Sequence, residues 1–328
     1  MRGLLRALAA LTLGCAPLAG ALAVPTAATA QVMVPQAQGE AAIDHMRQAT
    51  QAAERVTSLL LKVSGDSAFT GAQSPAELSA AIAGMRGDLA ASRQEIKTIV
   101  ARLNALPRIA RDGDPAELRL VDRVVTDIAA FSAGIDEYLA NVEDLGEALA
   151  AGDEVAAQRL AGSLVRGSVA VVDAQSLMLR ARLPMMPSDS SSYSQVTSLA
   201  CFYEGFASFQ RGAFGLTGRR EAGAGMERAA ACMTDENVRG AAALERETLV
   251  EHEDARLNGI RDGLAPVRRS MFKELEGAAE LVDEARRALV RGDNLESLMK
   301  FGDRTTEFER RFQDMATEEV DVVERQGR

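Results

Sequence analysis

With 328 residues, 47% of them apolar, the chain is too hydrophobic for disorder and long enough for one large or two medium domains. Only 4% of residues are aromatic and none is Trp, while Ala is abundant; no alternating β-branched run bounded by turns occurs, so the expected fold class is all-α, built from long amphipathic antiparallel helices. The net charge of −10 disfavours nucleic acid and anionic lipid as partners.

Residues 1–30 read as a signal peptide: Arg2 and Arg6 precede an apolar run from Leu4 to Val24, and Ala28-Thr29-Ala30 is a small-x-small cleavage site. Cys15 follows Leu13-Gly14, as a lipid-bearing Cys would, but the apolar run continues past it, so removal with the signal is expected. Loss of the two arginines takes the mature net charge to −12. No later segment approaches the ~20 apolar residues of a membrane span. The mature protein is expected to be periplasmic or secreted, acidic, and not integral to the membrane.

A polar lead-in, 31–39, precedes a first helix from Glu40 to Val63, with Ile43, Met46, Val56, Leu60 and Val63 on its apolar side. Ser74-Pro75-Ala76-Glu77 then spells a helix start: Ser as N-cap, Pro in the first turn, Glu reaching back. Leu78, Ile82, Met85, Leu89, Ser92, Ile96, Ile99 and Leu103 alternate steps of four and three, the heptad mark of a coiled-coil-like seam. Pro107 to Gly113 breaks the pattern, and Asp114-Pro115-Ala116-Glu117 restarts it. A long third helix follows, with Val121, Val125, Ile128, Phe131, Ile135, Tyr138, Val142, Leu145 and Leu149 in its seam. Gly152-Asp153 stops one helix and starts the fourth, which is expected to run from Glu154 to Leu183. Short connections between long helices make residues 40–183 an up-down bundle.

The Pro- and Ser-rich stretch 184–192 reads as a linker, and 193–326 as a second bundle. This second part opens on the helix around which the chain is organised. Of ten Phe and three Tyr, six lie between Tyr193 and Phe214. Val196, Leu199, Phe202, Tyr203, Phe206 and Phe209 form a bulky stripe, while Ser194, Cys201, Gly205, Ser208 and Gly212 leave another face bare. Thr217-Gly218 is a turn, and a further helix begins near Arg219, with breaks expected at Thr234-Asp235 and between Gly263 and Pro266. Asp293 caps a last helix whose seam holds Leu298, Phe301, Phe308, Phe312 and Met315.

An offset of 140 residues relates the two parts. Val56-Thr57-Ser58-Leu59 returns as Val196-Thr197-Ser198-Leu199, Gly65 meets Gly205, and the Gly152-Asp153 turn meets Gly292-Asp293. The spacing points to an internal repeat of related helical halves. The Pro107 to Gly113 break maps onto residues 247–253, which hold no breaker, so the second half is expected to turn elsewhere, at Thr234-Asp235 or Pro266.

Cys201 and Cys232 are the two cysteines of the mature chain, and they sit equidistant from the Leu216-Thr217-Gly218 turn. The same register opposes Ser208 to Gly225 and Gly212 to Ala222, bare surfaces that permit the ~5.5 Å Cα approach of a disulfide. A structural bridge is expected in an exported protein. Catalysis is poorly supplied: His45 and His252 lie in different halves without metal-ligand spacing, each expected at the surface, and no nucleophile elbow, P-loop or dinucleotide motif occurs. Asp112-Gly113-Asp114 lacks the later ligands of a calcium loop, and Met178, Met185 and Met186 do not make a soft-metal cluster. Neither catalytic residue, metal nor cofactor is expected. The leading expectation is a non-catalytic binding or scaffold module for a protein or cell-envelope component. The second is a small-molecule, sensor-like bundle with a pocket lined by Phe202, Phe206 and Phe209.

Overall fold

The computed structural model describes residues 36–64, 72, 74–111, 114, 116–293 and 295–327. The expected signal peptide, Cys15, the cleavage after Ala30 and residues 31–35 of the lead-in lie outside them. Nine α-helices occur among the described residues: α1 (Gln36–Ser64), α2 (Pro75–Gly84), α3 (Arg86–Asn104), α4 (Ala116–Ala150), α5 (Glu154–Arg180), α6 (Ser191–Ala213), α7 (Arg219–Thr248), α8 (Ala255–Arg291) and α9 (Leu295–Gly327). No strand accompanies them there, and the class is all-α. The described residues form two compact units, one of residues up to 174 with 294–303, the other of 175–293 with 304–328. The division thus falls within α5 and within α9 rather than at the Pro- and Ser-rich stretch, part of which, Leu183–Met185, is itself a 3-10 turn.

In the first unit, α1, α2 and α3 all pack on α4. Ser74 starts α2 as expected, its hydroxyl accepting the Glu77 N–H at 3.2 Å with Pro75 in the first turn. All eight seam residues from Leu78 to Leu103 are buried, Ser92 included. Each large one contributes about 1.5–3 kcal/mol by leaving water. The seam crosses a local turn at Met85, which ends α2 and precedes α3, and Leu89 N–H bonds the Met85 carbonyl across it. On α5, Gly167 leaves room for the Tyr138 ring of α4, which would stand 3.3 Å from a Cβ there.

α1 departs from expectation. It begins at Gln36, and Gln38 is anchored by donating to the Asp114 carboxylate at 3.0 Å, so 36–39 are helical and not a loose lead-in. Its buried stripe is His45, Ala49, Ala52, Val56, Leu59 or Leu60, and Val63. His45 is therefore buried at 6% exposure, not on the surface, whereas Ile43 is 70% exposed. Two residues are about 200° of helix, so the pair cannot share a face. His252 is exposed, as expected.

In the second unit α6 is central: 17 of its 23 residues are buried, against α7 and α8 and against α9 through Phe308. Ser190 caps it, accepting the Tyr193 N–H at 3.2 Å. Neither expected break in this half occurs. α7 runs through Thr234-Asp235, where the Thr234 hydroxyl folds back onto the Ala230 carbonyl at 3.0 Å. α8 carries Pro266 inside it. The turn falls instead at 249–254, closed by Asp254 accepting the Arg256 N–H at 2.8 Å, which is where the offset of 140 puts the Pro107 to Gly113 break.

Candidate functional site

The α6–α7 hairpin is built from the turn outward. The residue that needs a left-handed backbone is Gly215, at φ 71°, and not Gly218. From there the helices approach on their bare faces. A Cβ added to Gly225 would lie 2.5 Å from Ser208 Oγ, and one on Gly212 2.5 Å from Ala222 Cβ, the register read from the sequence. Cys201 and Cys232 consequently stand at disulfide-bonding distance, their Cα atoms 6.2 Å apart.

On the adjoining face of α6 the aromatic stripe turns inward. Phe202, Phe206 and Phe209 are 0%, 2% and 5% exposed. The Phe202 ring meets Phe308 at 4.7 Å and Tyr203 at 5.5 Å, and Phe206 stacks on Phe209 at 6.3 Å. Their faces are spent on one another and on α9, which is the behaviour of a core.

One end of this unit carries a polar clasp of four helices. Ser191, at the start of α6, donates its N–H and hydroxyl to Glu247 of α7 at 2.7 and 2.6 Å. Arg268 of α8 donates to Ser191 Oγ at 3.2 Å and to Glu319 of α9 at 2.7 Å. A carboxylate at a helix N-terminus is favoured by the helix dipole. Ser191 is fully buried and its hydroxyl occupied, so the clasp positions helices rather than offering a nucleophile.

A groove of about 990 Å³ lies at the surface of this unit between α7 and α8. Its α7 wall is Ala230, Ala231, Thr234, Val238 and Ala241, whose short side chains leave it uncovered. α7 and α8 meet closely because Gly240 lets Phe272 against the α7 backbone: a Cβ there would be 2.3 Å from the ring. The α8 rim bears Arg269, Lys273, Glu276, Glu280, Asp283, Glu284 and Arg287. Some rim charges are already paired, Arg269 with Glu245 at 3.1 Å and Arg287 with Asp283 at 3.3 Å. The side chains of Lys273, Glu276 and Glu280 make no ion pair or hydrogen bond among the described residues. Val238 stands 70% exposed in the same groove.

No family model, curated protein or solved structure matches this chain. The groove must therefore be read from its own chemistry. Among the described residues no group of three or more His, Cys, Asp or Glu is placed to hold a metal, and no helix is long and apolar enough to cross a membrane. Sequence reasoning missed the groove because its two walls come from separate helices, and only the α7–α8 register joins them. The exposed spacing of Ala224, Ala231 and Val238, seven residues apart on α7, was the available signal.

Proposed function

We propose that this chain is an exported, non-catalytic helical-bundle protein that binds a protein or envelope component through a helix face, the α7–α8 groove of its second unit. The observation that supports the reading is the groove itself: a small-residue wall, an exposed Val238, and a rim on which Lys273, Glu276 and Glu280 lack partners. Small residues admit a close helix, and free rim charges select its register and orientation. The basic start, apolar run and Ala28-Thr29-Ala30 of the sequence support export, and a cysteine pair at bonding distance suits an oxidising compartment.

The test is capture from a cell-envelope extract by the immobilised mature chain and by its Val238→Asp variant. The reading expects a protein retained by the former and lost by the latter. Equal retention by both would remove the groove from the account.

A further inference from the structure

We infer that the Cys201–Cys232 bridge is a site of thiol exchange, at which an external thiol attacks Cys232 Sγ and Cys201 leaves as a thiolate beside Arg180. The inference is independent of the groove and rests on the unequal surroundings of the two sulfurs. Cys201, on α6, is 1% exposed. Cys232, on α7, is partly exposed, and its neighbours Arg228, Ala231 and Asp235 are exposed with it. A thiol arriving from water therefore meets Cys232 first. Attack on a disulfide runs in line with the breaking bond, so Cys232 is reached from the α7 side, away from Cys201.

The buried sulfur has the cation. Arg180, the last residue of α5, directs its Nη2 at Cys201 Sγ, 3.5 Å away. Its Nε donates to Glu204 of α6 at 2.6 Å, and the same carboxylate oxygen accepts the Ser176 hydroxyl at 3.0 Å. The guanidinium fork thus gives one donor to its anchor and another to the sulfur. Glu204 opposes a thiolate by its own charge, but it lies on the Nε side and fixes where Nη2 points. In the closed bridge Cys201 Sγ is neutral and gains little from this contact. Once the bond breaks the sulfur is an anion, and the contact becomes a charge-assisted hydrogen bond. Burial alone would oppose an anion there. The arrangement therefore favours the leaving sulfur more than the bridge, and a bridge that only staples two helices gains nothing from it.

The electron pair of the incoming thiolate forms the new bond to Cys232 Sγ. The Cys201–Cys232 bond breaks, and its pair departs with Cys201 Sγ. With a monothiol the product is a mixed disulfide on Cys232 and a thiolate on Cys201. With a dithiol reductant, its second thiolate attacks its own first sulfur in that mixed disulfide. The reductant closes to a cyclic disulfide and Cys232 leaves as the second thiolate. The bridge gains two electrons and the dithiol loses two.

The test uses the mature chain with its bridge closed, incubated without denaturant in excess reduced glutathione. Samples are quenched in acid, alkylated unfolded with N-ethylmaleimide, and mapped by mass spectrometry. Glutathione should be found on Cys232 and the alkyl group on Cys201. Arg180→Gln should slow opening by about three- to tenfold. A merely structural Arg180 would act in the other direction, because a loosened unit exposes its bridge and opens faster. Arg180→Lys keeps a charge near the sulfur and should recover part of the rate. Should Arg180→Gln fail to fold, the wild-type map needs no variant and decides by itself. Glutathione on Cys201 or evenly on both, a wild-type bridge that opens only in denaturant, or a folded Arg180→Gln that opens as fast as wild type or faster would each overturn the inference.

Discussion

Gly152 and Gly292, 140 residues apart, end their helices in the same way. Their φ angles are 69° and 84°. Each N–H bonds a leucine carbonyl three residues back, Leu149 at 3.2 Å and Leu289 at 3.1 Å. The following Asp153 and Asp293 bond Ala148 and Ala288 at 2.9 and 3.1 Å. This is one helix-ending motif used twice. The helices it closes run over Ala116–Ala150 and Ala255–Arg291, nearly the same span at the offset of the sequence repeat. We read it as a trace of duplication. Gly152→Ala and Gly292→Ala should each destabilise by about 1 kcal/mol, because an L side chain resists the left-handed region. Urea unfolding checks this, and a cost at one position with none at the other would break the equivalence.

The cysteine pair makes a second prediction. A bond between Cys201 and Cys232 encloses a separation of 31 residues, so its loss should cost roughly 3–4 kcal/mol on a chain-entropy view. Intact mass spectrometry of the non-reduced exported protein should find no free thiol, and Cys201→Ser with Cys232→Ser should lower Tm. Two alkylatable thiols in the mature protein would count against the bridge.

Much of this fold is legible in the sequence because local rules and packing agree. The Ser74-Pro75-Glu77 start, the Leu78 to Leu103 seam and the α6–α7 register are cases where short-range chemistry decides. The failures have physical causes too. Thr234 looks like a breaker, yet its hydroxyl bonds back into its own helix. The turn at 249–254 has neither Gly nor Pro; Asp254 caps the next helix and Glu247 is turned onto Ser191 of another. His45 is buried because the α1 stripe continues through it from Ala49. The groove needed two distant stretches in register, which periodicity within one helix does not carry.

Glycines separate close approach from mere helix weakening. At Gly240 a Cβ would lie 2.3 Å from Phe272 and 2.9 Å from Ser194, so Gly240→Ala should destabilise by about 1–3 kcal/mol through overpacking. Gly134, inside α4, has nothing within 4 Å of an added Cβ. Gly134→Ala should therefore stabilise by about 0.5–1 kcal/mol. Thermal melts of the two variants should move in opposite directions; a shared direction would mean the α7–α8 approach is looser than described.

Arg182 is a buried cation with one unpaired guanidinium nitrogen. It is 8% exposed, its Nε has no hydrogen-bond partner, and burial pushes its guanidinium down to about 10. Burial disfavours the charged form, so the native state bears this cost at every pH below that value, the neutral range included. Arg182→Met keeps the apolar stem and removes the charge, and should raise stability by about 1–3 kcal/mol at pH 7. A lower Tm for the variant would show that the guanidinium is satisfied where it stands.

The central claim is that this protein works by docking another polypeptide in the α7–α8 groove. A photoreactive amino acid placed at Val238, and separately at Ile43 as an equally exposed control on α1, tests it in intact cells. The account predicts a light-dependent protein adduct from position 238 and none from position 43. No adduct at position 238, or equal adducts at both, would contradict it.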